Sequence, residues 1–155
     1  NVANDWIANG VWNGPAPIGG QARPGSGLTT NSAGTVVAFA DPNNNLANDW
    51  FNNSVWNGPA GTGGQARADS PLAFDADNDH LFFIDTNGNV ANDWIANGAW
   101  NGPAPIGGQA RPGSGLTTND TGTIVAFVDP NGYPANDWAN NGTWHGPAGT
   151  GGTSR

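Results

Sequence analysis

The sequence predicts an all-β protein, a β-propeller of 44-residue, four-stranded blades, and three observations carry that expectation. Tryptophan recurs at Trp6, Trp50, Trp94 and Trp138, and again at Trp12, Trp56, Trp100 and Trp144, each step being 44 residues. Arg23, Arg67, Arg111 and Arg155 keep the same spacing, and there is no Lys. Finally, Gly and Pro (25 and 12 of 155 residues) fall between short apolar runs, the pattern of many strands joined by tight turns. A period of about 40–45 residues is that of one four-stranded blade. The expected organisation is one domain: a half-blade over 1–23, then full blades over 24–67, 68–111 and 112–155.

The strands follow from local patterning. In residues 24–64, Ser26–Asn31 reads as a short inner strand of small residues and Thr35–Asp41 (TVVAFAD) as a strand buried on both faces. Leu46–Asn52 is a third strand. Val55–Pro59 is a fourth, ended by a proline that cannot donate to a ladder. A longer period overlies the shorter one: residues 94–119 copy 6–31 with the single change of Val11 to Ala99. The duplicated unit is therefore two blades, which favours an even ring of four-blade size. On this reading the chain begins in mid-repeat and without Met, as a processed product would. Its first half-blade lacks an inner hairpin, which a neighbouring copy or a flanking repeat would supply.

Composition narrows the function. Only 10% of residues are charged, all twelve acids are Asp, and the net charge is −8. Nucleic-acid binding needs a basic face, so that partner class is excluded, as is an anionic membrane surface. No apolar run approaches 18 residues, so no membrane insertion is expected. Without Cys there is no disulfide framework. A Lys-free, Asn/Gly/Thr-rich chain suggests a secreted or cell-surface protein. The Asn52, Asn119 and Asn141 sequons fit that location but are weak signals in so Asn-rich a chain.

Repetition also argues against an enzyme. His80 and His145 are out of register, and nearly every other candidate group recurs once per repeat, which suits several similar binding sites better than one cleft. The tryptophans are the leading candidates: an indole face stacks on the apolar face of a sugar while its N–H donates a hydrogen bond. Two of them six residues apart across a hairpin would wall a pocket; alternatively, one per blade packs blade on blade. The arginines offer a fork of donors suited to vicinal hydroxyls, or else pair with the repeated Asp5, Asp49, Asp93 and Asp137. Asp75, Asp77 and Asp79 alternate like the front of a calcium loop, but no Glu closes it. No metal or other cofactor is therefore expected, calcium being the one candidate.

The phrases NDW…NGxWNGPAPIGG and GTVVAFADPNNNLANDW resemble the repeats of carbohydrate-binding propeller lectins, bacterial bangle-type and fungal fucose-specific. The resemblance covers the whole chain in outline. It implies a multivalent, non-catalytic glycan-binding protein with shallow pockets between blades, served by the tryptophans and by Arg23, Arg67 and Arg111. The chain departs from the fungal pattern in lacking Glu and in alternating its blades. A second expectation, of a different class, is a structural filament or tandem array joined by strand completion between subunits.

Overall fold

The computed structural model describes residues 1–76 and 79–152. It is all-β. A two-stranded sheet, β1 (Ala3–Ala8) and β2 (Val11–Pro17), precedes three four-stranded antiparallel sheets. These are β3–β6 (Leu28–Thr30, Val36–Ala40, Asn45–Asn52, Val55–Gln65), β7–β10 (Leu72–Phe74, His80–Ile84, Asn89–Ala96, Ala99–Gln109) and β11–β14 (Leu116–Thr118, Ile124–Val128, Pro134–Asn140, Thr143–Gly149). Strands pair in chain order in every sheet, and the short inner strands β3, β7 and β11 lie side by side. Each sheet is one blade of a partial propeller. Among the described residues no helix is long and apolar enough to cross a membrane.

The apolar second strands β4 and β8 are buried on both faces, as their composition predicts, whereas β12 buries only the face of Val125 and Phe127, and the core lies between blades. Val37 and Phe39 of β4 pack toward Val2 and Ile18 of the first sheet. Ala38 and Ala40 face the other way, into a cluster with Leu72, Leu81 and Phe83 of the second full blade. The next interface repeats the plan with Phe82 and Ile84 against Val125 and Phe127.

The outer strand departs from expectation by running on to Gln65. Asn48 pairs with Ala60 and Trp50 with Asn57, so Gly58 and Pro59 together oppose Asp49 in a β-bulge. A bulged residue is unpaired in the ladder, so the missing proline N–H leaves no gap there. The Gly58–Pro59 peptide is cis, as are its three counterparts. A second irregularity between Asn45 and Ala47 frees the end of β6 to reach the following blade.

That reach ends on a buried acid. Gly20, Gly64 and Gly108 donate backbone N–H bonds to Oδ2 of Asp49, Asp93 and Asp137 in the following blade, at 2.8, 3.1 and 2.8 Å. Thr62 adds its hydroxyl to Asp93. Only glycine fits at the donor position, because a Cβ on Gly20 or Gly108 would collide with the ring of Phe39 or Phe127. Each of the three carboxylates is fully buried, and its Oδ1 has no hydrogen-bond partner among the described residues.

Burial therefore raises the affinity of these acids for protons, against the glycine N–H bond, and at Asp93 the Thr62 hydroxyl bond as well, that lower it. Asp49 is raised, and Asp93 and Asp137 are pushed up from 3.8 to about 6. A folded-state value above the unfolded one contributes stability that is full below about pH 3.8 and is lost as the pH rises through about 6. Asp69 works the other way: its slight burial is outweighed by Arg67 and the Gly113 N–H, which hold it low, but it is exposed. The melting temperature should therefore be higher at pH 5 than at pH 7.5. At roughly 2–4 °C per kcal/mol in a chain of this size, the rise is several degrees. A calorimetric scan showing a lower melting temperature at pH 5 would contradict this account.

Candidate functional site

The tripeptide Asn-Asp-Trp sits on the third strand of each blade, where alternation sends successive side chains to opposite faces. Asp49 points to the preceding blade and meets Gly20. Asn48 and Trp50 point to the following one. On the neighbouring strand Trp56 pairs with Phe51 and packs against the core cluster that Val37 and Phe39 form with Val2 and Ile18 of the first sheet, so it faces the preceding blade. Trp6 and Trp12 likewise occupy opposite faces of their hairpin, paired with Asn13 and Ile7. Two tryptophans six residues apart therefore do not wall one pocket. The facing pair is one blade's NDW tryptophan and the next blade's NGxW tryptophan, fifty residues on.

Trp6 and Trp56 make such a pair. A cavity of about 460 Å³ opens between their blades. Asn4, Trp6 and Ala16 form one wall; Gly34, Phe51, Ser54 and Trp56 form the other. Trp6 is 44% exposed, whereas Trp56 is partly sunk in the core. The Phe51 and Trp56 rings lie 5.5 Å apart, tilted by 55°. No charged side chain lines the cavity. By register Trp50 faces Trp100, and Trp94 faces Trp144. Trp100 packs against Phe74 and Trp144 edge-on against Phe82. Trp56, Trp100 and Trp144 thus join packing to partial exposure, and Trp50 and Trp94 are likewise half-buried. Trp12 (71% exposed) and Trp138 (37%) face outward at either end of the blade row, and His145 stacks on Trp138.

The interfaces differ in detail. Asn92, the counterpart of Asn4, donates its side-chain amide to Nδ1 of His80 at 2.8 Å. The corresponding residue in the blade before is Val36, and Asn48 Oδ1 is buried without a partner there. Ser54 holds a left-handed φ of +63°, where the other three hairpins carry Gly10, Gly98 and Gly142.

The arginines lie elsewhere. The Arg23 N–H bonds the Ala40 carbonyl at the end of β4, while Trp50 pairs with Val36 at its start. Five residues of strand separate the two, about 13 Å at ~3.3 Å per step. Arg23 donates to Asn44 Oδ1 and the Ala68 carbonyl, both at 2.6 Å. Arg67 donates to Asp69 and to the Ala110 and Arg111 carbonyls. These two bind linker to linker and are not paired with Asp49 or Asp93, whose Oδ2 atoms take glycine N–H groups instead. The Arg111 N–H takes the same place against Val128. Arg155 lies outside the described residues.

The turn acids are engaged by their own backbone. Asp41 Oδ1 accepts the N–H groups of Asn43 and Asn45, and Asp85 and Asp129 repeat the pattern. Asp75 Oδ1 accepts those of Asp79 and His80, while Asp77 lies outside the described residues. Among the described residues no three acidic or imidazole groups gather as a metal site would require. A second cavity, of about 470 Å³, lies near the arginine end beside Gln21 and Asp41. Its one aromatic, Phe39, is fully buried and its acid is already bonded, so it offers a ligand less than the tryptophan pocket does.

No family model matches the chain, and no curated protein does. Solved structures do. AofleA from Arthrobotrys oligospora aligns at a TM-score of 0.66 with 17% identity, over 90% of this chain and 47% of that one. SapL1 lectin, in complex with alpha methyl fucoside, aligns at 0.68 with 16% identity, over 89% and 52%. Aleuria aurantia lectin, a mutant in complex with alpha-methyl-L-fucoside, aligns at 0.64 with 16% identity, over 90% and 53%. The chain spans about half the length of these proteins and shares their fold.

The two walls of the Trp6/Trp56 pocket differ in how much stability rests on them. Trp6→Ala should cost less than about 1 kcal/mol, as a partly exposed side chain does, and Trp56→Ala about 2 kcal/mol or more. Ser54→Gly should stabilise by about 1 kcal/mol by relieving a left-handed non-glycine residue. Urea titration of the three variants checks the order; Trp56→Ala costing no more than Trp6→Ala would contradict it.

Proposed function

We propose that the chain is a non-catalytic, multivalent carbohydrate-binding propeller module whose sites lie between successive blades. The observation that carries this reading is the open, uncharged pocket walled by Trp6 and Trp56, with Asn4 and Ser54 as its polar groups. Indole faces fit the C–H face of a pyranose, and a few side-chain amides and hydroxyls fix its hydroxyls. The absence of charge in that lining favours a neutral sugar over an acidic one. Trp50/Trp100 and Trp94/Trp144 are the repeats of this site. The lectins that share the fold were solved with fucosides, which makes methyl fucoside the first ligand to try. Arg23 and Arg67 act in this reading as inter-blade clamps remote from the sugar, and Arg111 lies at the same register, equally remote. Several weak sites on one scaffold gain ~10²–10⁴ in avidity on a glycan-bearing surface, and a secreted or surface location accords with that.

Self-association belongs to the same proposal. Among the described residues β1 pairs only with β2, and its other edge is one on which an inner hairpin of the same repeat would add, whether from a second copy or from flanking repeats. The filament expectation draws no support from the comparisons.

Calorimetric titration with methyl fucoside should give about three sites per chain. Trp6→Ala should remove one of them, at least ~10-fold in affinity, the loss of a stacking platform. Excess EDTA should leave binding unchanged. Binding lost on chelation and restored by calcium would instead make ligands of Asp75, Asp77 and Asp79. A glycan array and a titration that both show no binding would overturn the reading.

A further inference from the structure

The facing tryptophans repeat from interface to interface, but the residue beside them does not. Phe51, Ile95 and Ala139 stand directly cross-strand from Trp56, Trp100 and Trp144. Cross-strand neighbours are the closest side chains on a sheet face, so this position borders the ring on which a ligand would lie. In the first pocket Phe51 lines the cavity itself and is 43% exposed, standing in the opening and not in the core. At the Trp94/Trp144 interface Phe82 packs edge-on against Trp144, 5.8 Å away, and Ala139 brings only a methyl group to the cross-strand position. The hairpin tip changes in the same sense, Ser54 giving way to Gly142.

Resting on the carbohydrate reading, we propose that the residue cross-strand from each NGxW tryptophan sets the size of saccharide its pocket takes. The Trp94/Trp144 pocket, bordered by Ala139, admits a disaccharide. The Trp6/Trp56 pocket, bordered by Phe51, admits a single ring. Ile95 places the Trp50/Trp100 pocket between them. One chain thereby reads two lengths of glycan with a single kind of aromatic wall, and Phe51 and Ala139 are specificity-determining residues.

The test follows the indole N–H signals of Trp6, Trp56, Trp94 and Trp144 by NMR while methyl fucoside or the disaccharide Fucα1-6GlcNAc is added. Both sugars occur in solved lectins of this fold. Methyl fucoside should shift both pairs at similar concentrations. The disaccharide should shift Trp94 and Trp144 at those concentrations, and Trp6 and Trp56 only at ~10-fold higher ones or more, the scale of discrimination by one steric group. Phe51→Ala should abolish that difference and Phe51→Ile reduce it. Ala139→Phe, or the smaller Ala139→Ile should the larger ring disturb folding, should impose it on the third pocket. Equal disaccharide affinity at both pockets of the unaltered chain would overturn the proposal. So would a Phe51→Ala variant that binds both sugars equally weakly, because Phe51 would then be a platform and not a limit. If neither sugar moves any of the four indoles, the carbohydrate reading itself fails, and the size rule falls with it.

Discussion

The structure depends on one buried contact, the glycine N–H of one blade's tail donated to the aspartate of the next. It is made three times, from Gly20, Gly64 and Gly108 to Asp49, Asp93 and Asp137. A carboxylate with one bare oxygen is a costly thing to bury, so the tail cannot drift from it without losing the bonds that offset that cost, the glycine N–H at each site and the Thr62 hydroxyl as well at Asp93. The bond therefore fixes both the spacing and the phase of neighbouring sheets. Everything at the blade interfaces, including the facing tryptophans, inherits its geometry from this contact.

Asn-Asp-Trp is compact because a strand has two faces. Its middle residue ties the blade to the one before, and its outer two present an amide and an indole to the one after. The bulge of Gly58 and Pro59 lies directly opposite Asp49, where a Cβ at position 58 would collide with the carboxylate. The φ of +116° at Gly58 independently demands glycine. Gly-Pro recurs in all four repeats for the same steric reason as the aspartate it accommodates.

Much of this was legible in the sequence. Period 44 marked the blades, TVVAFAD marked a strand buried on both faces, and the regular tryptophans marked the positions where ligand chemistry is possible. The tryptophan pairing was not legible as a sequence distance, because residues six apart on a hairpin look adjacent while the register pairs Trp6 with Asn13 and Trp12 with Ile7, which puts the two tryptophans on opposite faces. Trp6 meets Trp56, fifty residues away. The outer strand looked shorter than it is, because Pro59 reads as a stop unless the bulge that frees its nitrogen is known. The equal numbers of Arg and NDW Asp suggested a pairing that length rules out: Arg23 sits at the turn end of β4, whereas Asp49 is sealed between its own blade's bulge and the preceding blade's tail. The raised protonation of Asp93 and Asp137 depends on burial, which no local pattern reports.

The central claim is that the space between facing tryptophans of adjacent blades is where a neutral sugar binds. A crystal structure of the chain with methyl fucoside tests it most directly. The account predicts a sugar ring against the Trp6 or Trp56 indole, repeated between Trp94 and Trp144, with Asn and backbone groups on its hydroxyls and no arginine in contact. A sugar bound instead at the Arg23 and Arg67 end of the blades, or in the cavity beside Gln21, with the tryptophan pockets empty, would contradict it.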